Sequence, residues 1–170
     1  MPPTTTAVSA ALGMLYCDMS IRYKDLFESI ARFGTNISTL LNEQISLGTP
    51  VEPFPIKSLW QNEQLLPERK GLYCYSLPDG PVVYVGMGHI RARVWHHLRS
   101  PINLVEGDRK EQGFPNHEWA GRHDMRDFDT GEMLVTGASV TPEDCIGMLE
   151  SYAIWLLKRR TKGRCLNVAD

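Results

Sequence analysis

The segment 71–88, with the sequence GLYCYSLPDGPVVYVGMG, is the feature that most constrains the fold of this chain. Two short β-type runs, 71–77 and 82–86, flank the sequence Pro-Asp-Gly-Pro. Asp-Gly at the centre of such a segment is a strong turn signal. The segment is therefore predicted to form an antiparallel β-hairpin.

The turn sets the register of this hairpin. If Leu77 lies opposite Val82, the tyrosines have these partners: Tyr73 faces Gly86, and Tyr75 faces Tyr84. Tyr73 and Tyr84 are then diagonal neighbours on one face, about 7–8 Å apart. The opposite face is apolar and suits the core; it carries Leu72, Cys74, Val83 and Val85. Strand tyrosines usually cover half-buried surface, so the hairpin alone does not indicate a site.

A helix is predicted directly after the hairpin, in the sequence HIRARVWHHLR. Its apolar stripe comprises Ile90, Val94 and Leu98. Arg93 and His97, four residues apart, share one shoulder of this stripe, and Arg91 shares the other with Trp95. Gly88 permits a sharp turn before the helix, so one shoulder can lie beside the two tyrosines.

The last predicted helix adds a carboxylate. Thr141 is expected as its N-cap and Pro142 in its first turn. Its apolar stripe comprises Ile146, Leu149, Ala153, Ile154 and Leu157, and Glu150 falls inside that stripe. A buried carboxylate is costly unless it is paired, protonated or bound to a metal. A salt bridge to Arg91 or Arg93 and ligation of a cation both satisfy this requirement.

Together, these residue types suit phosphodiester cleavage. An arginine neutralises the phosphate, a carboxylate holds a hard divalent cation, and a phenol accepts a proton from water. A free phenol has a pKa of about 10 and is a poor base at neutral pH. The cation or the arginine must therefore lie near it.

In order and in type, these residues resemble those of the GIY-YIG nucleases. GLY at 71–73 is similar to the first half of the name motif, and YVG at 84–86 is similar to the second half. R-x-x-x-H, Glu and Leu-Asn follow in the family's order, so the resemblance covers about residues 70–168. The step from Tyr84 to Arg93 is about one residue shorter than is typical, which leaves Arg91 as an alternative to Arg93.

The resemblance implies an α+β fold, a small α/β sandwich in which helices flank a three-stranded antiparallel sheet. It also implies a metal-dependent DNA endonuclease with six site residues: Tyr73 as general base, Tyr84 orienting water or phosphate, Arg93 on the scissile phosphate, His97 assisting proton transfer, Glu150 binding one Mg²⁺ or Mn²⁺, and Asn167 supporting the site. The alternative is a catalytically inactive module that retains the fold and binds nucleic acid or protein.

Charge bears on the choice between these alternatives. The net charge of −2 disfavours indiscriminate binding to nucleic acid. A local basic cluster nevertheless precedes Asn167, and with Arg91 it forms the predicted set of DNA contacts: Lys158, Arg159, Arg160, Lys162 and Arg164. Basic residues at a helix C-terminus also suit the helix dipole, so the cluster has a structural explanation as well. DNA and RNA both remain open as substrates.

The N-terminal part is predicted to be helical. Apolar spacing over about 20–34 and 35–48 indicates two helices, ended by Gly34 and Gly48 and forming a helical hairpin. The Gly-Thr-Asn joint resembles that of a DNA-reading helix-turn-helix, but the following helix has no basic side chain. Packing against the main domain, or contact with a second copy of the chain or an accessory protein, is the expected role.

The predicted organisation has two parts. Residues 1–69 form a tail, the helical hairpin and a proline-rich linker, and residues 70–170 form the nuclease-like domain with a long inserted loop at about 101–131. In that loop, His117, Glu118 and His123 make only a weak zinc pattern. No apolar run approaches bilayer length and the first residues lack the basic residue typical of a signal peptide, so a cytoplasmic chain with no membrane partner is expected.

Overall fold

The computed structural model describes residues 21–78, 80–98, 133–161 and 167. Within these residues the chain has an α+β fold, as predicted, with three α-helices and an antiparallel sheet. In chain order the elements are α1 (Tyr23–Leu41), β1 (Ser46–Leu47), β2 (Phe54–Pro55), β3 (Lys70–Ser76), β4 (Val82–His89), α2 (Ile90–Leu98), β5 (Leu134–Thr141) and α3 (Ile146–Thr161). None of the described helices combines the length and apolar character needed to cross a membrane.

The sheet is built on three long strands in the order β5, β3, β4, all antiparallel to their neighbours. The two-residue strands β1 and β2 both pair with β5 on the side away from β3. Among the described strands, β4 is therefore an edge strand. The candidate tyrosines lie on β3 and β4.

The β3/β4 hairpin has the predicted register over most of its length. Tyr73 pairs with Gly86 and Tyr75 pairs with Tyr84. Beyond Tyr75 the register shifts, and Ser76 pairs with Val82. The extra residue on β4 turns Val83 to the tyrosine face, so the prediction that Val83 lies on the opposite face is wrong.

Each face of the sheet carries its own hydrophobic core. The first core joins α1 and α3 to one face; it includes Leu26, Ile30, Leu72, Cys74, Val85, Leu149 and Ala153. The second core joins α2 and the segment 56–66 to the other face; it includes Ile56, Leu59, Leu66, Tyr73, Tyr75, Val83, Ile90 and Val94. The tyrosine face thus lies under α2, as the position of Gly88 predicts.

α1 is one continuous helix of 19 residues, so the predicted helical hairpin is wrong. Gly34 lies in its interior and is buried against Leu149 and Ile45; a Cβ added to Gly34 would lie 3.4 Å from Ile45 Cγ2. This glycine gives close packing and does not end the helix. α1 ends instead at Leu41, where Asn42 adopts the left-handed conformation with φ of 52°.

The proline-rich segment after α1 runs along β5. The amides of Gly48 and Val51 donate to carbonyl oxygens of β5, at 2.8 and 3.1 Å. Thr136 Oγ1 donates in turn to the Val51 carbonyl oxygen. The described residues before Lys70 therefore share one sheet and both cores with the residues after it.

The entry to α3 also differs from the prediction. Thr141 is the last residue of β5 and pairs with Ser46, so it does not cap the helix. A 3₁₀ turn, Glu143–Cys145, follows, and α3 begins at Ile146. Strand pairing thus outweighs the preference of threonine for the N-cap position.

Candidate active site

Tyr73 is at the centre of the candidate site. It lies in the middle of β3, has no exposed surface, and its ring covers the backbone of Gly86 on the neighbouring strand. A Cβ at position 86 would overlap the Tyr73 Cζ and Oη atoms. Glycine is therefore required at position 86 to leave room for the tyrosine ring.

Three further rings surround Tyr73. The ring centre of Tyr84 is 6.2 Å away, that of Tyr75 is 5.6 Å away and that of His97 is 6.0 Å away. Tyr75 and Tyr84 stack on each other at 5.3 Å. The predicted proximity of Tyr73, Tyr84 and His97 is therefore present in the structure.

Tyr75 is the member of this cluster that sequence reasoning missed. Its hydroxyl oxygen lies 2.7 Å from His97 Nδ1, and both residues are buried. The available signal was the strand period, because Tyr75 lies two residues after Tyr73 and opposite Tyr84. The short distance to His97 depends on how α2 packs, which periodicity does not determine.

Arg93 reaches the tyrosines from α2. Its aliphatic part packs against Gly88, where an added Cβ would lie 3.1 Å from Arg93 Cγ. Gly88 has φ of 121°, a conformation that favours glycine. The absence of a side chain at Gly88 therefore permits the turn into α2 and also leaves room for Arg93. The side chain is otherwise exposed, and its positive charge acts on the hydroxyls of Tyr73 and Tyr75.

The Tyr73 hydroxyl is an unsatisfied buried group. It makes no hydrogen bond to the described residues, although Tyr84 and Arg93 lie close enough to influence it. Burial raises its pKa well above the usual value of 10.0, the nearby Tyr84 raises it further, and the positive charge of Arg93 opposes the rise. At neutral pH the group is therefore a protonated phenol.

Arg91, the alternative arginine, is held elsewhere. Its Nε and Nη2 donate to the Leu66 carbonyl oxygen at 3.1 and 3.0 Å, and its Nη1 lies 3.0 Å from the Glu68 carboxylate. The side chain is only 19% exposed. These contacts bind the start of α2 to the segment before β3, so Arg93 is the arginine that lies at the tyrosines.

Glu150 lies at the border of the buried stripe of α3. The buried members of that stripe are Ile146, Leu149, Ala153 and Leu157, whereas Glu150 is half-buried. Ile154, on the other side of Glu150, is also half-buried and packs against the first core, so Glu150 lies within the predicted stripe at its less buried side. Gly147, one turn earlier on the same side of α3, packs beside Met87 of β4.

Asn167 lies at the outer edge of β4. Its Oδ1 accepts a hydrogen bond from the Val85 amide at 2.9 Å, and its Nδ2 donates to the Val85 carbonyl oxygen at 2.6 Å. Val85 is the residue between Tyr84 and Gly86. Asn167 thus supports the stretch of backbone that carries the second half of the motif.

No protein-family model, curated protein or solved structure matches the chain. The resemblance to the GIY-YIG nucleases therefore depends on the ordered motif residues and on the geometry that brings them together.

The predicted DNA-contact residues are only partly described. Lys158, Arg159 and Arg160 are exposed at the end of α3, and the Arg159 guanidinium lies 5.1 Å from the Trp155 ring centre. Lys162 and Arg164 lie outside the described residues. The inserted loop at about 101–131 lies outside them too, and with it the predicted zinc pattern of His117, Glu118 and His123.

Within the described ranges, no group of three or more His, Cys, Asp or Glu side chains is arranged to hold a metal ion. The tyrosine face offers phenol oxygens, and the Glu150 carboxylate lies on α3, which packs on the other face of the sheet. These are hard oxygen ligands of the kind that Mg²⁺ and Mn²⁺ prefer.

Proposed function

We propose that this chain is a metal-dependent endonuclease of the GIY-YIG type that hydrolyses phosphodiester bonds in DNA. The observation that carries the proposal is the Tyr73 hydroxyl, which is buried, has no hydrogen-bond partner among the described residues, and lies beside Tyr84 and Arg93. A buried polar atom without a partner lowers stability, so it calls for an explanation such as catalysis.

Each residue has a role that its position supports. Arg93 is exposed and cationic, so it binds the non-bridging oxygens of the phosphate. Tyr84 is half-buried beside Tyr73 and orients the attacking water. Tyr73 would first lose its own proton to solvent; its phenolate oxygen would then take a proton from the attacking water while the water oxygen bonds to phosphorus and the bond to the leaving ester oxygen breaks. The leaving oxygen takes a proton from solvent.

Glu150 is the one side chain assigned to the cation, so a divalent cation bound there would keep much of its water. Glu150 would hold Mg²⁺ or Mn²⁺ through one carboxylate, with substrate phosphate as a further ligand, which is a common arrangement for Mg²⁺. The cation would supply positive charge that stabilises the phosphate and favours the charged form of a nearby phenol. Without such help, burial keeps Tyr73 protonated at neutral pH.

DNA contact and assembly belong to the same proposal. Lys158, Arg159 and Arg160 are exposed on α3, with Lys162 and Arg164 following, and they suit the phosphates of DNA. A single active site cuts one strand at a time, so double-strand cutting requires a dimer or two successive events. The exposed Leu40 and Leu41 at the end of α1 are available for contact with a second copy or an accessory protein.

The decisive experiment is cleavage of supercoiled plasmid with Mg²⁺, with Mn²⁺ and with EDTA. The wild type is expected to nick the plasmid only with metal. Tyr73→Phe removes one hydroxyl and keeps the ring, and it should lower the rate by about 10²-fold or more. Tyr23→Phe is the matched control, because the Tyr23 hydroxyl binds Glu52 at the protein surface. No cleavage by the wild type with either metal would refute the proposal.

The second candidate is a catalytically inactive module that binds nucleic acid or protein. The observation in its favour is the complete burial of Tyr73, whose raised pKa opposes a role as a base. Fluorescence anisotropy with labelled DNA distinguishes the two functions. An inactive DNA-binding module binds DNA, loses affinity in Arg93→Ala and cleaves nothing with any metal.

A further inference from the structure

Tyr75 and His97 form a buried polar pair behind the residues assigned to catalysis. The Tyr75 hydroxyl oxygen and His97 Nδ1 are 2.7 Å apart, Tyr75 has no exposed surface, and His97 is 4% exposed. The rings of Tyr73 and Tyr84 flank the imidazole, with centres 6.0 and 6.2 Å away. The imidazole is therefore held with its Nδ1 edge towards Tyr75.

Two arrangements of the proton are compatible with this distance. In the first, Tyr75 donates to an unprotonated Nδ1; in the second, Nδ1 carries a proton and donates to the phenol oxygen. A phenol is a better donor than acceptor, and an imidazole nitrogen is a strong acceptor. The chemistry of the two groups therefore favours the first arrangement.

The surroundings of the pair favour the same arrangement. Burial disfavours a charged imidazolium, and Arg93, one turn earlier on α2, would repel one. Among the described residues, the strand tyrosines Tyr73, Tyr75 and Tyr84 face His97, and His96 neighbours it on α2. Burial and the two neighbouring tyrosines raise the pKa of Tyr75 well above its usual value, so its phenol keeps its proton.

We propose that Tyr75 is a positioning residue: it donates a hydrogen bond to His97 Nδ1 and thereby fixes the neutral tautomer whose proton is on Nε2. His97 then presents an N–H donor at its other nitrogen and is not available there as a base. The hydroxyl of Tyr75 thus determines that Nε2 carries the proton, and it does so without contacting the substrate.

The consequence for catalysis depends on the proposed endonuclease function. A neutral Nε2–H at the tyrosine face can hydrogen-bond a phosphate oxygen while the bond to the leaving oxygen breaks. No proton leaves His97 in this role, in contrast to the proton transfer that the family resemblance implies for it. Loss of Tyr75 should therefore weaken transition-state stabilisation more than substrate binding.

The first test is spectroscopic and independent of any activity. The full chain is labelled with ¹⁵N, and two-bond ¹H–¹⁵N correlation spectra report the protonation of both nitrogens of each histidine. The chain has five histidines, so His97→Gln assigns the signal and His96→Gln checks the assignment. At neutral pH, His97 is expected to have an unprotonated Nδ1 and a protonated Nε2.

The second test removes the hydroxyl. Tyr75→Phe keeps the ring, so His97 should populate both tautomers, and kcat for plasmid cleavage should fall about tenfold with KM little changed. Tyr152→Phe is the control on the opposite side of the sheet, where Tyr152 stacks on Phe33 at 4.1 Å. It should leave the His97 signals and kcat unchanged.

An Nδ1–H tautomer or an imidazolium at neutral pH in the wild type would overturn the proposal. An unchanged tautomer ratio in a folded Tyr75→Phe variant would also overturn it. If that variant does not fold, the wild-type spectrum still decides the position of the proton. Absence of cleavage by the wild type would refute the endonuclease function, whereas the spectra would still test the role of Tyr75.

Discussion

Asn167 makes the two backbone hydrogen bonds to Val85 of β4 that a neighbouring strand would otherwise make. Its side-chain amide accepts from the Val85 amide at 2.9 Å and donates to the Val85 carbonyl oxygen at 2.6 Å. An edge strand leaves such groups without a partner, and here the outward-facing pair beside Tyr84 and Gly86 is satisfied. Asn167 therefore fixes the β4 backbone beside Tyr73, although it lies 82 residues after Val85 in the chain.

Asn167→Ala is expected to destabilise the protein by about 1–3 kcal/mol, because both hydrogen bonds to Val85 are lost. Asn167→Asp keeps an acceptor for the Val85 amide but places an oxygen against the Val85 carbonyl. It should therefore be at least as destabilising as the alanine variant. Denaturant unfolding followed by circular dichroism measures both; midpoints equal to that of the wild type would contradict this role for Asn167.

Replacing the two arginines of α2 should have different effects: Arg93→Ala should mainly affect activity, and Arg91→Ala should mainly affect stability. Arg93 is exposed, so Arg93→Ala should leave the free energy of unfolding nearly unchanged and abolish plasmid cleavage. Arg91→Ala removes two hydrogen bonds to Leu66 and the ion pair with Glu68, so it should cost about 1–3 kcal/mol and reduce cleavage less. Equal losses of activity in the two folded variants would show that the wrong arginine is assigned.

Local rules predicted the centre of the fold. The Asp-Gly turn, the alternation along two strands and the spacing of Arg93 and His97 on one helix were enough to place Tyr73, Tyr84, Arg93 and His97 together. The prediction works here because register and helix period constrain which residues share a face. The sequence also contained the signal for Tyr75, but not the packing that brings its hydroxyl to His97.

The errors of prediction arise where tertiary contacts outweigh local preference. Gly34 has the sequence signature of a helix end, yet contact with Ile45 and Leu149 makes it an interior residue of α1. Thr141 has the signature of an N-cap, yet pairing with Ser46 keeps it in β5. Both depend on residues distant in sequence, which periodicity does not report.

Alkaline pH should weaken the fold because Tyr73 and Tyr75 are buried. Their folded-state pKa values lie well above 10.0. Below about pH 10 both residues are protonated in the folded and unfolded states, and their contribution is fully present. Above that pH the unfolded tyrosines lose protons first, so the free energy of unfolding falls as pH rises towards the folded pKa values.

The slope of this alkaline loss is measurable by urea unfolding in a pH series. Each of the two groups contributes up to about 1.4 kcal/mol per pH unit. Tyr73→Phe and Tyr75→Phe should each make the slope shallower. Identical slopes in the wild type and in both variants would show that neither hydroxyl remains protonated in the folded protein.

The proposed binding of Mg²⁺ or Mn²⁺ depends on Glu150. It is half-buried on α3, one turn after the glycine that packs beside Met87 of β4. If the main role of Glu150 is to bind a cation, its neutral amide isostere should cost little stability in the metal-free protein. A carboxylate that holds a structural ion pair, by contrast, leaves its partner unpaired when it is replaced.

Glu150→Gln is therefore expected to change the free energy of unfolding by less than about 1 kcal/mol and to abolish cleavage. In the wild type, stability should rise with Mg²⁺ or Mn²⁺ as RT ln(1 + [L]/Kd), and the variant should lose this response.

Glu143→Gln is the matched control, because Glu143 pairs with Lys70 at 2.8 Å on the exposed approach to the same helix. It should retain both cleavage and the response to metal. Thermal or denaturant melts with EDTA and with each metal give the result. A large loss of stability in Glu150→Gln, with no metal response in the wild type, would favour the inactive module over the nuclease.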